Sequence, residues 1–324
     1  MPLDRARYAG AIVAATFCWG TSASLSKFSL TAFGPMTLLT VDLAIATAAL
    51  WTVLLLRHRS RPQPVVADRG RLAVLGLLQP CLTYVGMIWG LAYTSASNAA
   101  VLADTESFFV VLLAAVFLRE RLTARVLLCL GLTVTGVWLL EGGLGGGLHL
   151  GDALVVAGAL AAAGYAIVAK AFPPRVDTLT MTAYQFLFGL LCLAPLTIAL
   201  WVSGREQLPG PADPAAWGTA VAAGLLGYAV SFLLFNYGLA AIPAGEAGML
   251  LNLIPVFGVA VAMVSLGERL TPWEVTGAVT VVGSVLLFPR TRSDLLEVEV
   301  ADKAVPGLGD REQDASDDRV CGQR

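Results

Sequence analysis

The chain contains one long passage twice. Gly90 to Thr123, GLAYTSASNAAVLADTESFFVVLLAAVFLRERLT, returns 148 positions later as GLAAIPAGEAGMLLNLIPVFGVAVAMVSLGERLT, Gly238 to Thr271. Aligned without a gap, 15 of the 34 positions are identical, among them the opening Gly-Leu-Ala and the closing Glu-Arg-Leu-Thr of Glu120 to Thr123 and Glu268 to Thr271. Each copy is a long apolar run ending in a charged pair, the pattern of a helix that crosses a bilayer and meets water at its end. Such a duplication demands two related halves, and the number of spans in each half then decides how they are oriented.

Composition identifies the solvent. Apolar residues make up 57% of the chain and charged residues 14%, with a mean hydropathy of +0.75. That is more apolar surface than a water-soluble domain of this size needs for its core, so the chain reads as an all-α integral membrane protein. A net charge of −2 without a long basic stripe argues against a nucleic-acid partner. Cys18, Cys81, Cys129 and Cys192 lie inside apolar runs and Cys321 in a polar tail, a dispersion that offers neither a disulfide framework nor a CxxC metal site. The only histidines, His58 and His149, fall in loops, and there is no nucleophile elbow, metal-ligand cluster or GxxxxGK[ST] phosphate cradle. No enzyme, cofactor, metal or ATP-driven pump is therefore expected. The start MPLDRARYAG resembles the charged end of a signal peptide, but the run behind it is too long, and followed by too many others, for a cleaved leader.

Ten runs are apolar enough to span: Tyr8 to Phe28, Pro35 to Leu56, Leu72 to Tyr93, Ala96 to Leu118, Ala124 to Leu140, Ala153 to Phe172, Leu179 to Val202, Trp217 to Ala240, Pro243 to Leu266 and Pro272 to Phe288. The low-complexity stretch EGGLGGGLHLGD separates the fifth from the sixth. The expected organisation is a five-helix repeat over 8–141, a Gly-rich linker over 142–152, a second repeat over 153–289 and a disordered polar cytoplasmic tail over 290–324. Because five is odd, the second repeat enters the membrane from the opposite side, so the ten transmembrane helices form two inverted five-helix repeats. A cytoplasmic N-terminus puts Arg5, Arg7, Arg57, Arg59, Arg61, Arg69, Arg71, Arg119, Arg121, Arg125, Lys170, Arg175, Arg290 and Arg292 at or near cytoplasmic ends. Only Lys27, Arg205 and Arg269 then lie outside. Both termini are accordingly placed in the cytoplasm, with the protein in the plasma (inner) membrane.

Inverted repeats with almost no extramembrane mass are the architecture of carriers that rock about a site near the bilayer midplane. At the residue level the chain resembles EamA-type members of the drug/metabolite transporter superfamily over about residues 8–289. The resemblance is carried by Trp19-Gly20, the GLAYTSASNAA and GLAAIPAGEAG entries to the fourth and ninth helices, Pro255-Val256-Phe257, the Leu-Arg-Glu-Arg-Leu and Leu-Gly-Glu-Arg-Leu helix ends, and Gly151-Asp152. It implies a ten-helix secondary carrier with a central cavity lined by the first, third and fourth helices of each repeat, moving amino acids, other small metabolites or drugs, often outward. Two positions depart from the family pattern. Asp42 stands where a basic residue is common in the second helix, and Ser107 where the fourth helix usually has a proline, so that helix is expected to be straighter than the ninth, which keeps Pro255.

The candidate chemistry lies in polar residues at membrane depth, where a charge costs about 2.5 to 3.5 kcal/mol on insertion scales. Glu106 falls near the middle of the fourth helix and Asp104 about 3 Å nearer the outside. Two residues apart is roughly 200° around a helix, so the two acids do not share a face. Glu106 is expected to line the cavity, where it exchanges a proton or meets a substrate ammonium; the competing reading is a protonated acid bonded to a neighbouring helix. Asp104 serves either the site or helix-to-helix contact, and its repeat partner is Asn252. Asp42 either joins the site or pairs with Lys27. Trp19, Tyr84, Trp89, Tyr165, Tyr184 and Phe232 are candidates for the cavity wall or for packing, and Gln79, Gln185 and Asn236 for hydrogen bonds between helices. Glu120-Arg121 and Glu268-Arg269 read as boundary and cap residues. Gly131, Gly136, Gly277 and Gly283 read as points of close packing that make helices five and ten a scaffold or a homodimer face. The expected function is a proton-coupled exporter of a small metabolite such as an amino acid or organic cation, with Glu106, Asp104, Asn252, Trp19, Tyr84 and Asp42 at its site. The alternative is a membrane sensor or assembly partner that keeps a carrier fold without transport.

Overall fold

A computed structural model describes residues 2–58, 68–140, 149–172, 176–210, 214–266 and 271–289. Arg59, Arg61, Arg175, Glu268, Arg269, Arg290 and Arg292, most of the Gly-rich linker and the polar tail lie outside the described residues. Residues up to Phe288 form one compact unit.

The described secondary structure is helical throughout. In chain order the helices are α1 (Pro2–Ser29), α2 (Pro35–His58), α3 (Arg69–Gly76), α4 (Thr83–Ala92), α5 (Ala96–Ala103), α6 (Thr105–Phe117), α7 (Ala124–Leu140), α8 (Leu150–Lys170), α9 (Thr178–Val202), α10 (Pro214–Ala223), α11 (Ser231–Ala241), α12 (Ala244–Leu251), α13 (Leu253–Leu266) and α14 (Pro272–Leu287). A π-helical stretch, Leu77–Leu82, joins α3 to α4, and a second, Gly224–Val230, joins α10 to α11. Seven stretches are long and apolar enough to cross a membrane: Pro35–Arg57, Arg69–Ala92, Asn98–Phe117, Leu150–Lys170, Thr178–Val202, Pro214–Ala241 and Ala244–Val264. The apolar α7 and α14 are shorter, at 17 and 16 residues, and α1, diluted by Thr21, Ser22, Ser24 and Ser26, is 28 residues long. Val116, Phe117, Val202, Val264, Val279 and Leu286 are 64% to 90% exposed, so the outer surface of this bundle matches lipid rather than water. The chain is a multi-pass membrane protein.

The irregularities repeat as the sequence does. An offset of 148 carries the π stretch ending at Leu82 onto the one ending at Val230, and the helix break at Asp104 onto that at Asn252. In the first π stretch Pro80 has no N–H to donate, and Gln79 leaves helical geometry (φ −144°, ψ 122°). The freed Gln79 carbonyl accepts from Gln185 Nε2 at 3.1 Å. The fourth helix, expected to be straighter than the ninth, is interrupted at the equivalent place: α5 and α6 are separate helices, as are α12 and α13. Where Pro255 interrupts the second copy, hydroxyls do so in the first. Thr105 Oγ1 donates to Leu102 O (2.6 Å) and Ser107 Oγ to Asp104 O (3.0 Å), competing for the carbonyls that a continuous helix would use. A second correction concerns the linker, because α8 begins at Leu150 and Asp152 sits in its first turn, accepting the His149 N–H at 2.8 Å.

Packing is reciprocal between the halves. α1 lies on α11 and α13, as α8 lies on α4 and α6; α2 packs on α9, and α7 on α14. Ile12, Leu43, Val110, Phe186 and Phe232, all fully buried, belong to the shared core. The α7–α14 contact rests on two glycines, since a Cβ on Gly277 would stand 2.5 Å from Gly136 O and one on Gly136 3.0 Å from Gly277 O. Gly131 and Gly283, read from sequence as packing points too, have nothing within 4 Å and face outward.

Candidate functional site

Breaks in the helices bring polar groups together near the centre of the bundle. Glu106 occupies the first turn of α6, just past the break at Asp104, and Tyr84 follows the first π stretch while Tyr228 lies in the second. The Tyr84 and Tyr228 rings meet with centroids 5.3 Å apart, and Trp19 of α1 contacts Phe232 and Phe235 edge-on at 5.2 and 5.6 Å. Glu106 is close enough for its charge to act on both Tyr84 and Tyr165, and Asp42 acts on Tyr84 and Tyr228. Glu106, Tyr84 and Tyr228 are each half-buried. Glu106 has no hydrogen bond or ion pair among the described residues.

The other expected site residues divide. Asp42 is 1% exposed, its Oδ1 is without a partner, and it does not pair with Lys27, whose side chain is exposed. Counting residues from the helix end had put the two within reach, but α2 turns this face onto the second π stretch. The α2 backbone is pressed there, a Cβ on Gly224 lying 3.1 Å from the Asp42 backbone O, and the Asp42 charge acts on Tyr228 and Tyr84. Asn252, 1% exposed, donates to Met249 O at 3.1 Å while its Oδ1 is unpartnered; Asp104 is half-buried at the equivalent break. Trp19 leaves its indole N–H buried and unpartnered. Tyr165 and Phe232 belong to the core, with Tyr165 donating to Gln185 Oε1 (3.2 Å) and to Asn236 Oδ1, and Asn236 Nδ2 donating to Thr182 Oγ1 (3.0 Å). Gln185 and Asn236 therefore bond between helices as expected, whereas Gln79 joins α9 through its backbone carbonyl. Tyr184 packs away from the site on Trp51 and Phe188, and Trp89 is 39% exposed.

Glu120 caps a helix, and the helix belongs to the other half. Its carboxylate accepts from Ala244 N (2.7 Å) and Gly245 N (2.9 Å), the free donors at the start of α12. Beside it Arg5 of α1 pairs with Glu246, and Lys170 Nζ donates to Leu239 O (3.0 Å) and Ile242 O (2.7 Å) at the end of α11. One end of the bundle is thereby tied together by four charged side chains. Sequence reasoning passed over Glu246, Tyr228 and the proximity of Cys81 to Cys192, whose sulfurs lie 3.1 Å apart. Glu246 had a signal, because it is an acid aligned with Asn98 inside the repeat; the other two are products of helix packing across long separations.

Comparison with known proteins agrees with this architecture. A sequence model of the EamA-like transporter family matches residues 7–141 and again 149–289. A probable terminal-alkyne amino-acid exporter of Streptantibioticus cattleyicolor is 28% identical over 90% of this chain and 95% of its own length. The uncharacterized transporter YetK of Bacillus subtilis is 24% identical over 75% of this chain and 74% of its own length, and an uncharacterized transporter of Archaeoglobus fulgidus is 25% identical over 85% and 95%. A protein of known crystal structure superposes with a TM-score of 0.71 at 19% identity, covering 86% of this chain and 95% of that one.

Proposed function

From the premise that the chain belongs to the EamA-like transporter family, within the drug/metabolite transporters, we propose a proton-coupled exporter of small metabolites bearing a cationic group, such as an amino acid or an organic cation. Its ten helices form two inverted five-helix repeats, the second starting with α8, set in the plasma membrane with both termini cytoplasmic. The observation that carries the reading is Glu106, a half-buried carboxylate without a counter-ion among the described residues, deep in the bundle. An acid at that depth is costly unless a cation or a proton shares its site, and a carrier supplies one or the other in each half-cycle. Tyr84, Tyr228 and Trp19 offer aromatic faces for the rest of an amphipathic substrate, with Asp104 and Asn252 at the flanking breaks. The name of the Streptantibioticus relative, an amino-acid exporter, agrees with a substrate that carries an ammonium group.

Alternating access draws support from one asymmetry. α12 packs on α6, while among the described residues the repeat-equivalent pair, α5 and α13, makes no comparable contact. The bundle is tied at the end that holds Arg5, Glu246 and Glu120 and parted at the other, as expected of a carrier captured open to one side. With the N-terminus in the cytoplasm, that side is the exterior.

The test is an untargeted comparison of extracellular metabolites from cells expressing the parent protein, Glu106→Gln at matched membrane levels, and no protein. A compound that accumulates only with the parent supports the reading and identifies the substrate. Media that match each other but differ from the control make Glu106 structural. No difference from the control favours uptake or the non-transporting role.

A further inference from the structure

Two acids act on one tyrosine, Tyr84, and the fold treats them differently. Glu106 is half-buried and keeps accessible surface. Asp42 is 1% exposed, is pressed by its backbone onto Gly224 of the second π stretch, and holds an unpartnered Oδ1. The elements packed on α2 bring few titratable groups toward it. The second π stretch contributes Tyr228 and α4 contributes Tyr84, with Glu106 beyond Tyr84. α10 contains none, and on α9 Tyr184 stacks on Trp51 while Cys192 meets Cys81. No described basic side chain pairs with Asp42. The repeat adds a contrast, since the position equivalent to Glu106 is Ile254, so that acid is not explained as a duplicated structural element. π stretches of this kind often mark functional positions, and here one seats a carboxylate that only a very small cation can approach.

Resting on the carrier reading above, we propose that the two acids divide the work: Glu106 holds the cationic group of the substrate, and Asp42 is the proton-binding residue that couples its movement to the proton gradient. Tyr84, within reach of both charges, is the link through which occupation of one site bears on the other. Loading Asp42 transfers one proton to the carboxylate from water on one side, and unloading returns it to water on the other, with no other change of bonds.

Two measurements on the purified full chain decide this. In proteoliposomes, with the compound that parent cells export, Asp42→Asn retains exchange of labelled for unlabelled compound and loses accumulation driven by a pH gradient, whereas Glu106→Gln loses both. Gradient-driven accumulation surviving in Asp42→Asn, or exchange vanishing equally in both variants, overturns the division. Should no exported compound be found, the exporter reading fails by itself and the second measurement still judges the geometry. A water-soluble carbodiimide with glycine ethyl ester as the amine, read by peptide mass, is expected to amidate Glu106 and spare Asp42. Labelling of Asp42 as fast as Glu106 removes the difference in access on which the division depends. Monodisperse elution of each variant guards against loss through misfolding.

Discussion

Replacing Glu120 by alanine tests the tie at the closed end. The carboxylate satisfies two N–H donors of α12 at 2.7 and 2.9 Å, and Ala244, at 0% exposure, gives the first of them no path to water. An unsatisfied buried donor costs about 1–3 kcal/mol, and because Glu120 itself is only half-buried, water recovers part of the second, leaving a net loss of roughly 2–4 kcal/mol. The bond joins α12 to the end of α6, so the loss falls on the arrangement in which those helices touch. At 1.36 kcal/mol per tenfold, the population in which they part rises by roughly 30- to 900-fold. The assay is a cysteine at Ala247, fully buried in α12, in a background without the native cysteines, labelled by a membrane-impermeant maleimide from the side that bears the N-terminus. Labelling is expected to accelerate in Glu120→Ala and less in Glu120→Gln, whose amide oxygen still accepts one bond. A folded Glu120→Ala protein that labels at the parent rate refutes the reasoning, because the two bonds would then be equally available with the helices apart.

Three further outcomes follow from the packing. Gly277→Val, which forces a side chain against Gly136 O and Leu140 N, is expected to lower the thermal midpoint in detergent by several degrees, as overpacking costs about 1–3 kcal/mol, while Gly131→Val leaves it unchanged. Asn236→Leu removes its bonds to Tyr165 and Thr182, whose hydroxyls keep Gln185 Oε1 and Thr178 O, and should cost about 0.5–1.5 kcal/mol per bond in a denaturant titration, with Asn236→Asp less harmful than Leu only where the acid is protonated. Glu206→Ala removes the acceptor for Met36 N (3.0 Å), Thr37 N (2.7 Å) and Thr37 Oγ1 (2.7 Å) at the start of α2; faster hydrogen exchange at Met36 and Thr37 is expected, with a changed emission from Trp201, whose indole bonds Thr37.

The Glu-Arg-Leu-Thr duplication shows how far local pattern reaches. A charged pair after an apolar run announces a helix end, and Glu120 is a cap as that pattern suggests. The helix it caps, α12, starts more than a hundred residues later, and no periodicity points to it. The break at Asp104 was missed for a related reason. Proline is the conspicuous breaker, whereas Thr105 and Ser107 bend the chain only when their hydroxyls choose backbone carbonyls over other partners.

The sequence by itself determined that this protein is helical, that it lives in a membrane, that its halves are copies and that its acids at Asp42, Asp104 and Glu106 demand an explanation. These follow from composition and spacing, which act on every residue wherever it ends up in space. Tertiary structure alone decided that Asp42 turns from Lys27 toward Tyr228, that Glu106 is half-buried without a partner among the described residues, and that Arg5, Glu120 and Glu246 bind one end of the bundle. Those are contacts between helices far apart in the chain, and the charge or burial of a side chain has no meaning until the groups that surround it are in place.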